Sequence, residues 1–273
     1  MASPNTITPA QLTRLIGTPD APMLIDICID DDFKADPRVI PTALRHSFAT
    51  ITDLAPALSG KRAVVICQKG RKLSQGAAAL LRTKGIQAEY LEGGNFAWRD
   101  AGLPLIPADK IPTHPHHGTT LWVTRHRPKI DRIACPWLIR RFVDPNAQFL
   151  FVSPSEVMNV ADRFGATPFD VEGVFWSHRG DTCTFDTMVD EFALDIPALK
   201  HLATIVRGAD TNRHDLAPEC AGLLAASLGL SRMYRDDLEQ LDAGLSLYDA
   251  FYRWSRDATN ESHDWPTSQN QKA

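Results

Sequence analysis

The chain has 273 residues, 44% of them hydrophobic, and a net charge of −4 at pH 7. It is long enough for one large or two ordinary domains with sizeable cores, and its slight acidity argues against a general nucleic-acid binder. No run approaches the roughly eighteen apolar residues of a membrane span, and the start "MASPNTITPAQLTRL" lacks the basic and apolar regions of a secretory signal, so a cytoplasmic protein is expected.

The first hundred residues alternate helix and strand. "TPAQLTRLIG" reads as a short helix closed by Gly17, "MLIDICI" as a buried strand, "LAPALSG" as a helix and "RAVVIC" as a second buried strand. "LSQGAAALLRTKG" is an alanine-rich helix stopped by Gly85, "QAEYLEGG" a third strand and "NFAWRDAGLP" a short helix. Continuous apolar strands between helices imply a parallel sheet covered on both faces, an α/β domain over residues 1–107. Residues 108–119 lie in a proline- and histidine-rich stretch, "PLIPADKIPTHPHHGTT", that reads as a linker. Its His114, His116 and His117 read as solvated linker residues rather than metal ligands.

Residues 120–273 read as an α+β, mostly helical domain with a polar tail. Its strands are "TLWVTR" and "AQFLFV", with "DRIACPWLIRRF" between them. "PSEVMNVADRFG" starts a helix and "VEGVFWSH" looks extended. Four helical segments follow, from "TFDTMVDEFAL" to "LEQLDAGLSLYDAFYRWSR".

Cys28, Cys67, Cys135, Cys183 and Cys220 are odd in number, widely spaced and without a CxxC pair, which fits reduced thiols better than disulfides or a zinc ribbon. Cys67 stands out. It ends a buried strand and is followed by Gln68, Lys69, Gly70, Arg71 and Lys72, with a helix starting immediately after. Ligands of open α/β sheets bind at this strand end. Loop N–H groups and the helix N-terminus form an anion nest there, three cations add whole charges, and Gly70 lets the loop curl. That setting favours a reactive sulfur anion and holds an anionic substrate beside it. An inert buried cysteine is the alternative. A phosphatase loop needs arginine six positions after its nucleophile, where this chain has Leu73.

"CQKGRKLS", with "LIDI" and its Asp26 upstream and "YLEGGNFAWRDAGLP" downstream, resembles a rhodanese domain from about Thr8 to Pro107. The resemblance implies that Cys67 takes sulfane sulfur as a persulfide and passes it to a thiol or cyanide acceptor. It implies residues 68–72 as the binding loop for a small anionic sulfur donor, and no cofactor. Asp26 is assigned a structural or orienting role. Lys72 stands where the family has arginine, supplying charge without the planar fork, so thiosulfate turnover below that of a typical member is expected. Cys28 is read as strand core, with a resolving thiol as the alternative.

"TRHRPKIDRIACPWLIRRFVDPNAQF" and "EGVFWSHRGDTCTFDTMVDEFALDIPALKHLATIVRGAD" resemble the ChrB chromate-resistance C-terminal domain, from about Leu121 to Arg256. The resemblance implies an association with chromate response or tolerance. From the residues themselves, Pro136 reads as a first helical residue, placing the Cys135 sulfur at a helix N-terminus among Arg132, Arg140 and Arg141. That group suits chromate or sulfate, with solvated surface arginines as the alternative. His178 and Cys183, five apart on "SHRGDTC", are candidate metal ligands that Asp181, Asp186 or Glu191 would complete, with Asp131 and Asp210 as further candidates if the fold brings them near. Two functions from different classes follow. The first is a sulfurtransferase tied to an oxyanion-associated domain; the second is a non-catalytic chromate or redox sensor.

Overall fold

The computed structural model describes residues 5–112 and 119–262; the linker histidines lie outside them. The first half comprises β1 (Thr6–Ile7), α1 (Pro9–Thr13), β2 (Met23–Asp26), α2 (Asp30–Ala35), β3 (Arg38–Val39) and β4 (Leu44–Arg45). It continues through α3 (Ala55–Leu58), β5 (Arg62–Ile66), α4 (Lys72–Thr83), β6 (Gln87–Leu91), α5 (Gly94–Asp100) and β7 (Ile106–Pro107). Five strands form one parallel sheet in the order β1-β6-β5-β2-β4, while β3 and β7 pair antiparallel beside it.

Strand alternation decides what each face carries. Along β5, Ala63 and Val65 face a cluster with Ala77, Ala78 and Leu81 of α4, and Cys67 continues that side. Val64 and Ile66 face the other way, into a second cluster. The Cys67 sulfur is thereby delivered beneath the start of α4.

The second half has β8 (Leu121–Arg125), α6 (Asp131–Leu138), β9 (Gln148–Val152), α7 (Val157–Phe164) and β10 (Thr167–Pro168). Helices α8 (Thr184–Glu191), α9 (Pro197–Asp210), α10 (Cys220–Met233) and α11 (Asp237–Asp257) complete it. Its sheet is a three-stranded parallel one, ordered β10-β8-β9.

Two local expectations are corrected here. Pro136 does not open a helix: α6 starts at Asp131 and carries Pro136 in its interior, and a wide π-type turn over Ile139–Val143 follows. "VEGVFWSH" is not a strand. Its apolar residues pack instead of pairing, with Trp176 stacked on Phe192 at 4.7 Å and Trp176 alone bridging to Phe169.

The core does not stop at the linker. Leu12, Ile16 and Trp98 of the first half share one buried cluster with Trp137, Phe142 and Tyr252 of the second. The Thr42 N–H donates to the Phe142 carbonyl at 2.8 Å. The helix expected to close at Gly17 ends at Thr13, and Gly17 lies in the turn beyond it; at its φ of +81° an added Cβ would strike the rings of Phe142 and Tyr252, so the turn needs glycine to pack against the second half. The segment expected as linker begins structured: β7 pairs with β3, and Lys110 reaches Glu191 at 2.5 Å.

Candidate functional site

Cys67 leaves β5 with its side chain almost fully buried and its residue 5% exposed. The loop from Gln68 to Arg71 then turns into α4, aiming that helix's N-terminus at the sulfur. Two interlocking glycines, Gly70 and Gly94, fix the turn. Gly70 has φ of +61°, and a Cβ there would run into the Leu91 carbonyl and the N–H groups of Gly93 and Gly94. A Cβ on Gly94, at φ of +60°, would run into the Cys67 carbonyl. The start of α5 seals the contact, since the N–H groups of Asn95 and Phe96 donate to the carbonyls of Cys67 and Gln68 at 3.1 and 3.0 Å.

The Cys67 thiol donates to Ser74 Oγ at 3.2 Å, and that hydroxyl donates to the Arg71 carbonyl at 3.3 Å. Ser74 is fully buried on the first turn of α4. A hydroxyl rotor so placed turns to donate to the sulfur once the sulfur is anionic. Sequence reasoning passed over Ser74; the signal was a small polar residue one helical turn into α4 on the cysteine side. Above the sulfur lies a cavity of about 370 Å³ lined by Asp32, Cys67, Gln68, Lys69, Arg71, Lys72 and Leu73. Lys69, Arg71 and Lys72 are exposed at its rim, and none of them makes a salt bridge among the described residues.

Asp26 sits at the end of β2, 1% exposed, outside that cavity lining. Its Oδ1 accepts the Cys28 N–H at 2.8 Å and its Oδ2 accepts from Asn95 Nδ2 at 3.4 Å, so it ties β2 to α5. Cys28 lies close enough to Cys67 to feel its charge. Burial first, then the Asp26 carboxylate, pushes its thiol well above the ordinary range, which makes it a poor resolving nucleophile.

In the second half the three arginines expected to hold an oxyanion are each bound to a carboxylate, and Cys135 is buried. Arg132 pairs with Asp170 at 3.3 Å, Arg140 with Asp242 at 3.3 Å, and Arg141 grips Asp249 through two bonds of 2.8 Å. Cys135 is fully buried inside α6, away from any helix end, and burial raises its thiol far above the usual value. The expected site fails for a simple reason: each guanidinium has its own carboxylate, and the sulfur has no path to solvent.

His178 and Cys183 part company as well. Cys183 is buried and caps α8, and burial raises its thiol too. Asp186 completes that cap and pairs with Arg207, while Glu191 is bound by Lys110 and Arg179. Instead, His178 Nε2 lies 3.4 Å from Asp131 Oδ2, 3.3 Å from Asp170 Oδ1 and 3.4 Å from Asp210 Oδ2. Asp131 opens α6, Asp170 follows β10, and Asp210 ends α9. Asp170 is the member that sequence reasoning missed; its flanking residues give no periodic signal. The Asp131 and Asp170 carboxylates beside the ring raise His178 to about 10, and burial with the neighbouring carboxylates raises Asp210 to about 7. Burial works against the Asp170 carboxylate, but His178, Thr184 and Arg132 hold it below its ordinary value.

Comparison with known proteins finds a separate family match in each half of the chain. Residues 8–101 match the rhodanese-like domain model and residues 122–255 the ChrB C-terminal domain model. Protein ChrB of Cupriavidus metallidurans is 26% identical over 239 residues, covering 82% of this chain and 72% of that protein. A rhodanese-like domain protein from Staphylococcus aureus is 24% identical over 34% of this chain and 90% of its own, with a TM-score of 0.31. Thiosulfate sulfurtransferase from Pseudomonas aeruginosa is 26% identical over 37% of this chain and 19% of its own, with a TM-score of 0.32. No helix among the described residues is long and apolar enough to cross a membrane. The chain therefore joins a rhodanese-like domain to a ChrB C-terminal domain.

Proposed function

We propose that this protein is a sulfurtransferase whose Cys67 carries sulfane sulfur as a persulfide, and that its second half ties this activity to chromate tolerance. The supporting observation is the placement of Cys67. Its sulfur lies at the floor of a cavity of about 370 Å³, under three rim cations, with the α4 N-terminus behind it and Ser74 Oγ at 3.2 Å. The Cys67 thiolate attacks the outer sulfur of thiosulfate. The S–S bond of the donor breaks, sulfite leaves with the electron pair, and a persulfide anion remains on Cys67. Cyanide or an acceptor thiolate then takes the outer sulfur and returns the Cys67 thiolate.

Loop N–H groups from Gln68 to Lys72 stabilise the sulfur anion before and after transfer, in the manner of preorganised oxyanion donors. Lys69, Arg71 and Lys72 draw the anionic donor to the rim, and Asp26 keeps β2 and α5 in place. Five cysteines that are all free fit a reducing, cytoplasmic setting. A direct oxyanion site on Arg132, Cys135, Arg140 and Arg141 forms no part of the proposal, because those arginines are already paired. The test is thiocyanate formation from thiosulfate and cyanide. Wild-type protein should turn over and Cys67→Ser should fall to the uncatalysed background; equal rates for the two proteins would end the proposal.

A further inference from the structure

We infer that Asp131, Asp170 and His178, with Asp210 beside them, form a binding site for one divalent first-row cation in the second half of the protein. Ligand atoms of Asp131, Asp170 and His178 all lie within 4.8 Å of one another. His178 Nε2 is nearly equidistant from three carboxylate oxygens, at 3.3 to 3.4 Å. A ring N–H points at one acceptor, and a charge-assisted bond of that kind is about 2.7–2.9 Å long. Three equal and longer separations are not that geometry. They match the edge of a coordination tetrahedron, where metal–ligand bonds of about 2.0–2.2 Å set neighbouring ligands about 3.3–3.6 Å apart.

A second observation is independent of the cluster's distances. Asp131 is 0% exposed, and its Oδ1 has no hydrogen-bond partner among the described residues. A buried carboxylate oxygen left unpaired is costly unless a ligand satisfies it. The other carboxylate oxygens are held from behind, as metal ligands usually are. The Thr184 N–H donates to Asp131 Oδ2 at 2.6 Å, and Thr184 Oγ1 donates to Asp170 Oδ1 at 2.9 Å. Arg125 and Arg132 lie 3.2 and 3.3 Å from Asp170 Oδ2, which offsets some of the cluster's negative charge. The backbone is also strained at this point: Ile130 and Asp170 have φ of +42° and +51°, and a β-branched residue seldom occupies that region. His178 is 40% exposed, so the site opens to solvent on one side. Carboxylates and one imidazole without a thiolate select Mn²⁺, Fe²⁺ or Zn²⁺.

The test uses the full, untagged chain, stripped with chelator and titrated calorimetrically with Zn²⁺ and with Mn²⁺. The expected result is one ion per chain with at least one of the two metals, and a rise in melting temperature on binding. His178→Ala, a change at a half-exposed position that should leave the fold intact, weakens binding at least about tenfold. Asp210→Asn weakens it in the same direction. Cys183→Ser, and a variant with His114, His116 and His117 all replaced by serine, bind as the wild type does. No saturable binding of either metal by the wild type would overturn the assignment. So would wild-type affinity in a folded His178→Ala protein, or loss of the ion on replacing the three linker histidines.

Discussion

The two halves of the molecule build their sites in opposite ways. In the first, one contiguous stretch from Cys67 to Ser74 supplies the sulfur, the amides, the cations and the hydroxyl. In the second, Asp131, Asp170, His178 and Asp210 come from four separate segments that α6, β10 and α9 bring to one point. A strand-to-helix loop makes a site from backbone, so its sequence carries the site openly. A cluster of side chains is made by packing and exists only once the fold does. The first should tolerate changes in charge and fail on changes in backbone; the second should do the reverse.

The sharpest way to break this contrast is at the glycines. Gly94→Ala forces a Cβ into the Cys67 carbonyl at a positive φ. It should cost about 3–5 kcal/mol in denaturant unfolding and abolish thiocyanate formation. A variant with wild-type stability would show that the loop is not locked by this contact. Ser74→Ala removes one bond to the sulfur and should lower turnover about tenfold, the equivalent of about 1.4 kcal/mol for a bond to a charged group, with little change in melting temperature. An unchanged rate would remove Ser74 from the account. Lys72→Ala should raise the KM for thiosulfate about threefold, and that effect should fade as salt screens the exposed rim. A defect that persists at high ionic strength would mean the lysine acts on structure.

The smallest effect concerns the clamp between the halves. Lys110 first, then Arg179, holds the Glu191 carboxyl below its ordinary value of 4.5. A folded-state value below the unfolded one means stability that is present above about pH 4.5 and is lost as pH falls through the folded value. Glu191→Gln should therefore cost about 0.5–1 kcal/mol near neutrality and nothing in strong acid. Parallel stability–pH curves for the two proteins would contradict this reading.

Much of the fold could be read from the chain, for reasons visible in particular segments. "RAVVIC" and "LSQGAAALLRTKG" carry strand and helix periods without ambiguity, and they appear as β5 and α4. The Cys67 loop was legible because its parts are neighbours in sequence. Other features were not. "VEGVFWSH" has the composition of a strand, but its Trp176 ring is taken up by stacking on Phe192. Pro136 suggested a helix start, yet α6 tolerates it internally and relaxes into a wide turn at Ile139–Val143. The arginines around Cys135 look like an anion site because Asp170, Asp242 and Asp249, which neutralise them, lie far along the chain. His178 was paired with its sequence neighbour Cys183, whereas packing gave it three carboxylates. Long-range charge pairing is the information that local pattern lacks.

The central claim is that Cys67 accepts a sulfur atom, and the most direct measurement is the mass of the peptide that carries it. Protein incubated with thiosulfate, then digested without reductant, should show one added sulfur on the Cys67 peptide, removed by cyanide and absent in Cys67→Ser. Added sulfur on Cys28 alone, or none on any peptide, would contradict it.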